Sequence, residues 1–120
     1  MPHLKLTLDT IGDVTVADPN ERFIRETEQI EQLGEALYDL IEQQHLKKII
    51  LDLSKVQLFS SAALGVMIAV RKKADEQKAR VVICGLAREL KEVFKIVGLD
   101  RMFEFHADRA KALNAYGVAS

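Results

Sequence analysis

The chain has 120 residues, of which 48% are hydrophobic and 29% are charged, a composition typical of one soluble globular domain and not of a disordered chain. Its formal net charge is −1 and no block of Lys or Arg stands out, so neither a nucleic-acid surface nor a membrane-surface helix is indicated. The single cysteine excludes an intrachain disulfide. We see no signal-peptide pattern and no run of about 20 apolar residues that could span a membrane, so we expect a cytoplasmic protein.

The first part of the chain carries the patterns of a hairpin and a helix. Residues 4–8 and 14–16 alternate between apolar and polar side chains and are separated by turn-forming residues, which predicts two paired strands. A brief extended piece is expected at residues 23–24. From Thr27, an apolar stripe at helical spacing predicts a helix that ends near residues 43–45. The stripe consists of Ile30, Leu33, Leu37, Leu40 and Ile41.

The second part alternates between buried strands and helices. The apolar run at residues 49–53 predicts a strand covered on both faces. Residues 61–77 predict a helix whose first nine residues after Ser61 carry no charge, with Ser60 at its N-terminus. The remaining predicted elements are a buried strand at 80–84, a helix at 87–97 closed by a left-handed Gly98, a short strand at 102–105, a helix capped by Asp108, and a flexible tail at 113–120.

The order of these elements, β-β-α-β-α-β-α-β-α, predicts the fold class. Strands that alternate with helices imply parallel pairing with right-handed crossovers, and the N-terminal hairpin adds an antiparallel pair. We therefore expect one α/β domain over residues 1–120, built on a mixed β-sheet of about five strands with about four helices.

Residues that would carry catalysis or bind a metal are not clustered in the sequence. There is no Gly-rich phosphate loop, no Cys/His cluster and no nucleophile elbow, and the histidines His3, His45 and His106 lie in different segments. Cys84, at a strand end, is interpreted as a small buried hydrophobic residue. Asp52 sits at the end of a central strand, where ligands often bind, although a turn-capping carboxylate explains it more simply. We predict neither enzymatic activity nor a cofactor or metal.

Ser60 and Ser61 place two hydroxyl groups side by side where a strand-like region meets a helix. One explanation is a helix cap, because a serine oxygen accepts hydrogen bonds from the first free N–H groups. The other is a phosphorylation site, because the N-terminus of a helix favours negative charge.

Three segments resemble the STAS domains of bacterial anti-sigma factor antagonists and sulfate transporters. Residues 49–56, Ile-Ile-Leu-Asp-Leu-Ser-Lys-Val, resemble the strand-and-turn signature of that family. Residues 60–66 lie where antagonists carry Asp-Ser-Ser/Thr-Gly-Leu-Gly, and residues 97–103 resemble the family's Gly-Leu element and last strand. The resemblance is good from residue 47 to residue 113 and looser before that, where the element order agrees.

The resemblance implies a partner-switching regulator without catalytic activity of its own. In such systems the unmodified antagonist binds an anti-sigma factor that is also a serine kinase, and that binding frees the sigma factor. The kinase phosphorylates a hydroxyl at the helix N-terminus, the complex dissociates, and a phosphatase resets the switch. The partner-binding residues implied here are Phe59, Ser60, Ser61, Ala62, Ala63 and Asp52.

The sequence departs from the family pattern at several positions. Ser60 replaces the usual Asp, Ala62 replaces a second hydroxyl that some members use as the acceptor, and Ala63 replaces a Gly, where a methyl group would crowd a partner. Ser61 is therefore the first phosphorylation candidate and Ser60 the second. The alternative is a STAS scaffold that is not phosphorylated, or a ligand-sensing module, in a multi-protein or transporter-associated complex.

Overall fold

Two sheets form in the computed structural model, which describes residues 4–118. The main sheet has five strands in the order β1-β2-β4-β6-β7, with β1–β2 antiparallel and the other three pairs parallel. The second sheet is a two-residue parallel pair, β3–β5. The strands are β1 Thr7–Ile11, β2 Val14–Asp18, β3 Phe23–Ile24, β4 Lys48–Asp52, β5 Leu58–Phe59, β6 Arg80–Cys84 and β7 Glu104–His106.

Four α-helices cover the main sheet. They are α1 Thr27–Tyr38, which continues as a π-helical segment at Asp39–Gln43, α2 Ser61–Glu76, α3 Arg88–Ile96 and α4 Arg109–Ala115. Three helices pack on one face of the sheet, whereas α4 alone packs on the other. Neighbouring residues of a strand point to opposite faces, so Ile49 and Leu51 join the core under α1 to α3 and Ile50 joins the core under α4. The predicted α/β architecture, with a mixed five-stranded sheet and four helices, is confirmed.

The first strand lies three residues later than predicted. Residues 9–11 were expected in the turn, but they belong to β1 and pair with β2, with Asp9 opposite Val16 and Ile11 opposite Val14. The turn is short because Gly12 adopts a φ of +62°, which a glycine takes without strain. Leu4 precedes the strand and is buried in the core.

The prediction of a flexible tail at residues 113–120 is wrong for most of that segment. Residues 109–115 form α4, Leu113 is buried, and Tyr116 is buried one residue beyond the helix. The Tyr116 hydroxyl donates to the carbonyl oxygens of Ile49 at 2.9 Å and Arg80 at 2.7 Å, and burial raises its pKa to about 12. These hydrogen bonds tie the end of the chain to two central strands. Residues 119–120 of the predicted tail, like His3, lie outside the described residues.

Candidate partner-binding site

The start of α2 is set by Ser60. Its backbone is extended, with φ −70° and ψ 165°, and its N–H donates to the carbonyl oxygen of Ile24 in the small sheet at 3.0 Å. The side-chain oxygen accepts the N–H of Ala63 at 3.2 Å, and the carbonyl oxygen accepts the N–H of Leu64 at 3.0 Å. Ser60 is thus the predicted N-cap, and it joins the β3–β5 sheet to the helix.

Only part of the predicted partner-binding segment reaches the surface. Ser61, the first residue of α2, and Ala62 are exposed, and Ser60 is half-buried. Phe59 is buried and lies 5.8 Å from Phe94 between ring centroids. Ala63 is completely buried, so its methyl group fills the core and cannot crowd a partner as expected. Phe59 and Ala63 therefore support the site from below, because the helix and strand periods turn them inward.

Asp52 does not join the two serines. Its side chain points to the face covered by α4, whereas α2 covers the opposite face. It is only 8% exposed, and its Oδ2 accepts hydrogen bonds from the Nε of Arg109 at 3.1 Å and from a terminal guanidinium nitrogen of that residue at 2.9 Å. Its Oδ1 accepts the N–H of Ser54 at 3.0 Å, as expected for a turn-capping carboxylate. Both carboxylate oxygens of Asp52 are thus engaged within the chain.

Arg109 contacts carboxylates on three strands of the sheet. Besides Asp52 on β4, its guanidinium lies 3.1 Å from Asp9 on β1 and 3.8 Å from Asp18 on β2. Asp18 is buried and pairs with Lys55 at 3.1 Å. Burial opposes the charge of Asp52, but hydrogen bonds from Ser54 and Arg109 outweigh it and hold the pKa of Asp52 below its usual range.

Sequence reasoning missed two exposed apolar residues beside Ser61. Phe23 and Leu58 are cross-strand neighbours in the β3–β5 sheet, and each is 39% exposed. Arg22 and Arg25 place their guanidinium carbons 5.4 and 5.1 Å from the centroid of the Phe23 ring. The sequence contains a relevant signal, since each two-residue strand has two large apolar residues on opposite faces. Only the pairing shows that Phe23 and Leu58 face outward while their neighbours face the core.

The described cysteine and histidines, Cys84, His45 and His106, lie in separate segments of the chain. Cys84 is buried, and burial together with the nearby Asp52 carboxylate raises its pKa to about 12, which disfavours a reactive thiolate. His45 is exposed at a chain reversal, and His106 lies 2.6 Å from a Glu104 oxygen. Within residues 4–118 there is no group of three or more His, Cys, Asp or Glu that could hold a metal ion. None of the helices described in that range is long and apolar enough to cross a bilayer.

The chain is similar to proteins of one domain family. The model of the STAS domain family matches residues 11–112. A Bordetella bronchiseptica protein, provisionally named anti-sigma factor antagonist BtrV, is 28% identical over 116 residues, which is 97% of each chain.

Solved structures with the same fold include three from other bacteria. A protein of Thermotoga maritima, provisionally named an anti-sigma factor antagonist, superposes with a TM-score of 0.81 at 19% identity over 92% of each chain. A STAS domain protein of Planctomyces limnophilus gives 0.81 at 20% identity, over 95% of this chain and 98% of its own. Phosphorylated SpoIIAA from Bacillus gives 0.71 at 15% identity, over 93% and 99%. At these identities the likeness to solved structures concerns the fold.

Proposed function

The chain belongs to the STAS domain family, and from this premise we propose that it is an anti-sigma factor antagonist that acts by partner switching. In its unmodified form the chain binds a kinase-type anti-sigma factor through the surface at Ser60 and Ser61, which frees the sigma factor. The kinase then phosphorylates Ser61 and the complex dissociates. A phosphatase restores the antagonist. This role is performed in the cytoplasm and requires no catalysis by the chain itself.

The observation that carries the proposal is the placement of Ser61. It is exposed at the first position of a 16-residue helix, next to the half-buried cap Ser60. The hydroxyl of Ser60 is engaged by the N–H of Ala63, and the hydrogen bonds within residues 4–118 include none from the hydroxyl of Ser61. A kinase can reach Ser61 without breaking the helix cap. Ser61 is therefore the first acceptor candidate and Ser60 the second.

The position of Ser61 explains how one phosphate would change binding without changing the fold. Phosphorylation adds roughly −1.5 to −2 charges. At the N-terminus of α2 the helix dipole and free N–H groups stabilise negative charge by about 0.3–1 kcal/mol, so the domain tolerates the group. A partner packed over the hydroxyl would instead meet a bulky, hydrated dianion. The switch thus acts at the interface and leaves the core unchanged.

The proposal is tested with the anti-sigma factor that the wild-type chain recovers from its host, produced as a pure protein. We expect Ser61→Asp to weaken binding at least tenfold in calorimetry, while the free energy of unfolding changes by less than about 1 kcal/mol. Asn114→Asp is the matched control, because it adds the same charge at an exposed position of α4, which packs on the face of the sheet opposite to α2. It should leave binding unchanged.

Mass spectrometry of the chain from its host supplies the second measurement. A phosphate on Ser61 is the expected result. Equal affinity of wild type and Ser61→Asp, with neither serine modified, would refute the switch. That result would favour the alternative role, a scaffold or ligand-sensing module within a multi-protein or transporter-associated complex.

A further inference from the structure

An exposed apolar and cationic surface adjoins the proposed switch. We call it the β3–β5 patch and define it by Phe23, Leu58, Arg22 and Arg25. Phe23 and Leu58 lie side by side across the two-stranded sheet, each 39% exposed. Large apolar side chains that are exposed together, and not singly, are characteristic of surfaces that bind other proteins. The patch is continuous with the start of α2, because the N–H of Ser60 donates to the carbonyl oxygen of Ile24 on β3.

The patch is held rigidly by its surroundings. The carbonyl oxygen of Arg22 accepts the N–H groups of Gln57 at 2.7 Å and Leu58 at 3.2 Å, which fixes the two strands relative to each other. Lys55 joins the loops that precede them. Its Nζ lies 3.1 Å from Asp18 and donates to the side-chain oxygen of Asn20 at 2.9 Å. Little conformational entropy is then lost when a partner covers Phe23 and Leu58, which favours binding.

The charges around Phe23 select the chemistry of the partner. The Arg22 side chain donates to the neutral oxygen of Gln57 at 3.2 Å, and within residues 4–118 no carboxylate lies within 4 Å of its guanidinium. Among the described residues, the carboxylate near Arg25 is that of Glu26, in a long, exposed contact at 3.8 Å. A cleft of about 380 Å³ opens beside the ring, and its lining includes both arginines and the carboxylates of Glu21 and Glu26. Arg22 is therefore the cation whose charge a partner can best neutralise.

We propose that the β3–β5 patch docks an acidic segment of the anti-sigma factor, with an apolar side chain on Phe23 and Leu58 and a carboxylate on Arg22. This inference rests on the proposed function and names the chemistry of its partner. A guanidinium stacked on a ring forms directed hydrogen bonds to a carboxylate through its edge, so the two contacts are made together. Phosphorylation of Ser61 then controls whether the complex dissociates, while the β3–β5 patch determines which protein binds.

Three variants test the docking surface against the purified anti-sigma factor. Phe23→Ala and Leu58→Ala remove apolar contact, and Arg22→Glu reverses the charge. Each is expected to weaken binding at least tenfold at low salt, and the effect of Arg22→Glu should shrink as salt rises. The matched controls are Ile96→Ala, where the apolar side chain is 82% exposed on α3, and Arg101→Glu, which makes the same charge change at an exposed site elsewhere. Both controls should bind within twofold of wild type.

The outcomes separate this inference from the switch. If Phe23→Ala, Leu58→Ala and Arg22→Glu all bind like wild type while Ser61→Asp does not, the docking surface is refuted and the switch stands. If these three weaken binding and Ser61→Asp does not, the docking surface stands and the switch is refuted. A dimer of the free chain that Phe23→Ala dissociates would overturn the inference, since a second copy would then cover the patch. Failure of the wild-type chain to recover any anti-sigma factor overturns both.

Discussion

The Arg109 network and the start of α2 are two polar regions that differ in charge and in burial. In the network, buried carboxylates on neighbouring strands share one guanidinium, and the side chain of Asp52 is only 8% exposed. At the start of α2 the polar groups are neutral, Ser60 is half-buried, and Ser61 is exposed. Removing one partner of a buried ion pair leaves the other charge uncompensated, so a change there costs stability. An exposed hydroxyl with no role in packing can be modified while the fold persists.

Near the Arg109 network, we expect Gly85→Ala to cause the largest loss of stability. Gly85 follows β6 with a φ of +73°, and an added Cβ would lie 2.7 Å from the Cβ of Ser54, next to Asp52. Backbone strain together with this clash should lower the free energy of unfolding by about 4 kcal/mol, measured by urea denaturation. Gly98→Ala is the control, because it has a φ of +82° but no atom within 4 Å of the added Cβ. Gly98→Ala therefore measures the cost of backbone strain alone. An equal loss of stability in both variants would show that the clash with Ser54 contributes nothing.

Arg109→Met tests whether the guanidinium holds the network together. The variant keeps most of the apolar stem but leaves Asp18 and Asp52 buried without their shared cation. Losing a partner of a fully buried charge costs about 3–5 kcal/mol, and because the Arg109 side chain is 36% exposed we expect about 2–3 kcal/mol. Thermal and urea denaturation measure the loss. Arg101→Met should change stability by less than about 0.5 kcal/mol, and an equally small effect at Arg109 would break the comparison.

The pH dependence of stability sharpens the role of Asp52. Its pKa is held below the usual value in the folded chain, so its carboxylate stabilises the fold above the unfolded pKa of about 4 and loses this contribution as the pH falls through the folded pKa. At pH 7, Asp52→Asn should be about 1.5 kcal/mol less stable than wild type. The difference should shrink as the pH falls below about 4. Urea titrations from pH 7 to pH 2.5 measure it, and a difference that stays constant across this range contradicts the prediction.

Ser60→Ala and Ser61→Ala give the smallest expected changes in stability. They distinguish the roles of the two serines at the start of α2. Ser60→Ala removes the hydrogen bond to the N–H of Ala63 and should cost about 1 kcal/mol, as helix caps do. Ser61→Ala should change stability by less than about 0.5 kcal/mol and should block phosphorylation. Denaturation curves and a kinase assay measure the two effects. A larger loss of stability at Ser61 than at Ser60 would reverse the roles that the structure gives them.

The accuracy of the predictions from sequence differed between elements. The stripe that begins at Ile30 and the apolar run at residues 49–53 are long, periodic signals, and both elements formed as expected. The shifted first strand and the wrongly predicted tail have different causes. The first strand extends to Ile11 because Gly12 turns the chain with a φ of +62°, whereas the end of the chain depends on a distant partner, the carbonyl oxygen of Ile49 that anchors Tyr116 across 67 positions. No local pattern encodes such a hydrogen bond.

For the site, the sequence by itself determined that Ser60 would cap α2 and that Ser61 would follow it, because capping needs only a hydroxyl beside a helical pattern. The tertiary structure decided which neighbours are accessible. It buried Phe59 and Ala63, turned Asp52 to the opposite face of the sheet, and brought Phe23 beside Leu58 from 35 positions away. Strand pairing and the side chosen by each helix fix these outcomes, and both depend on contacts between distant parts of the chain.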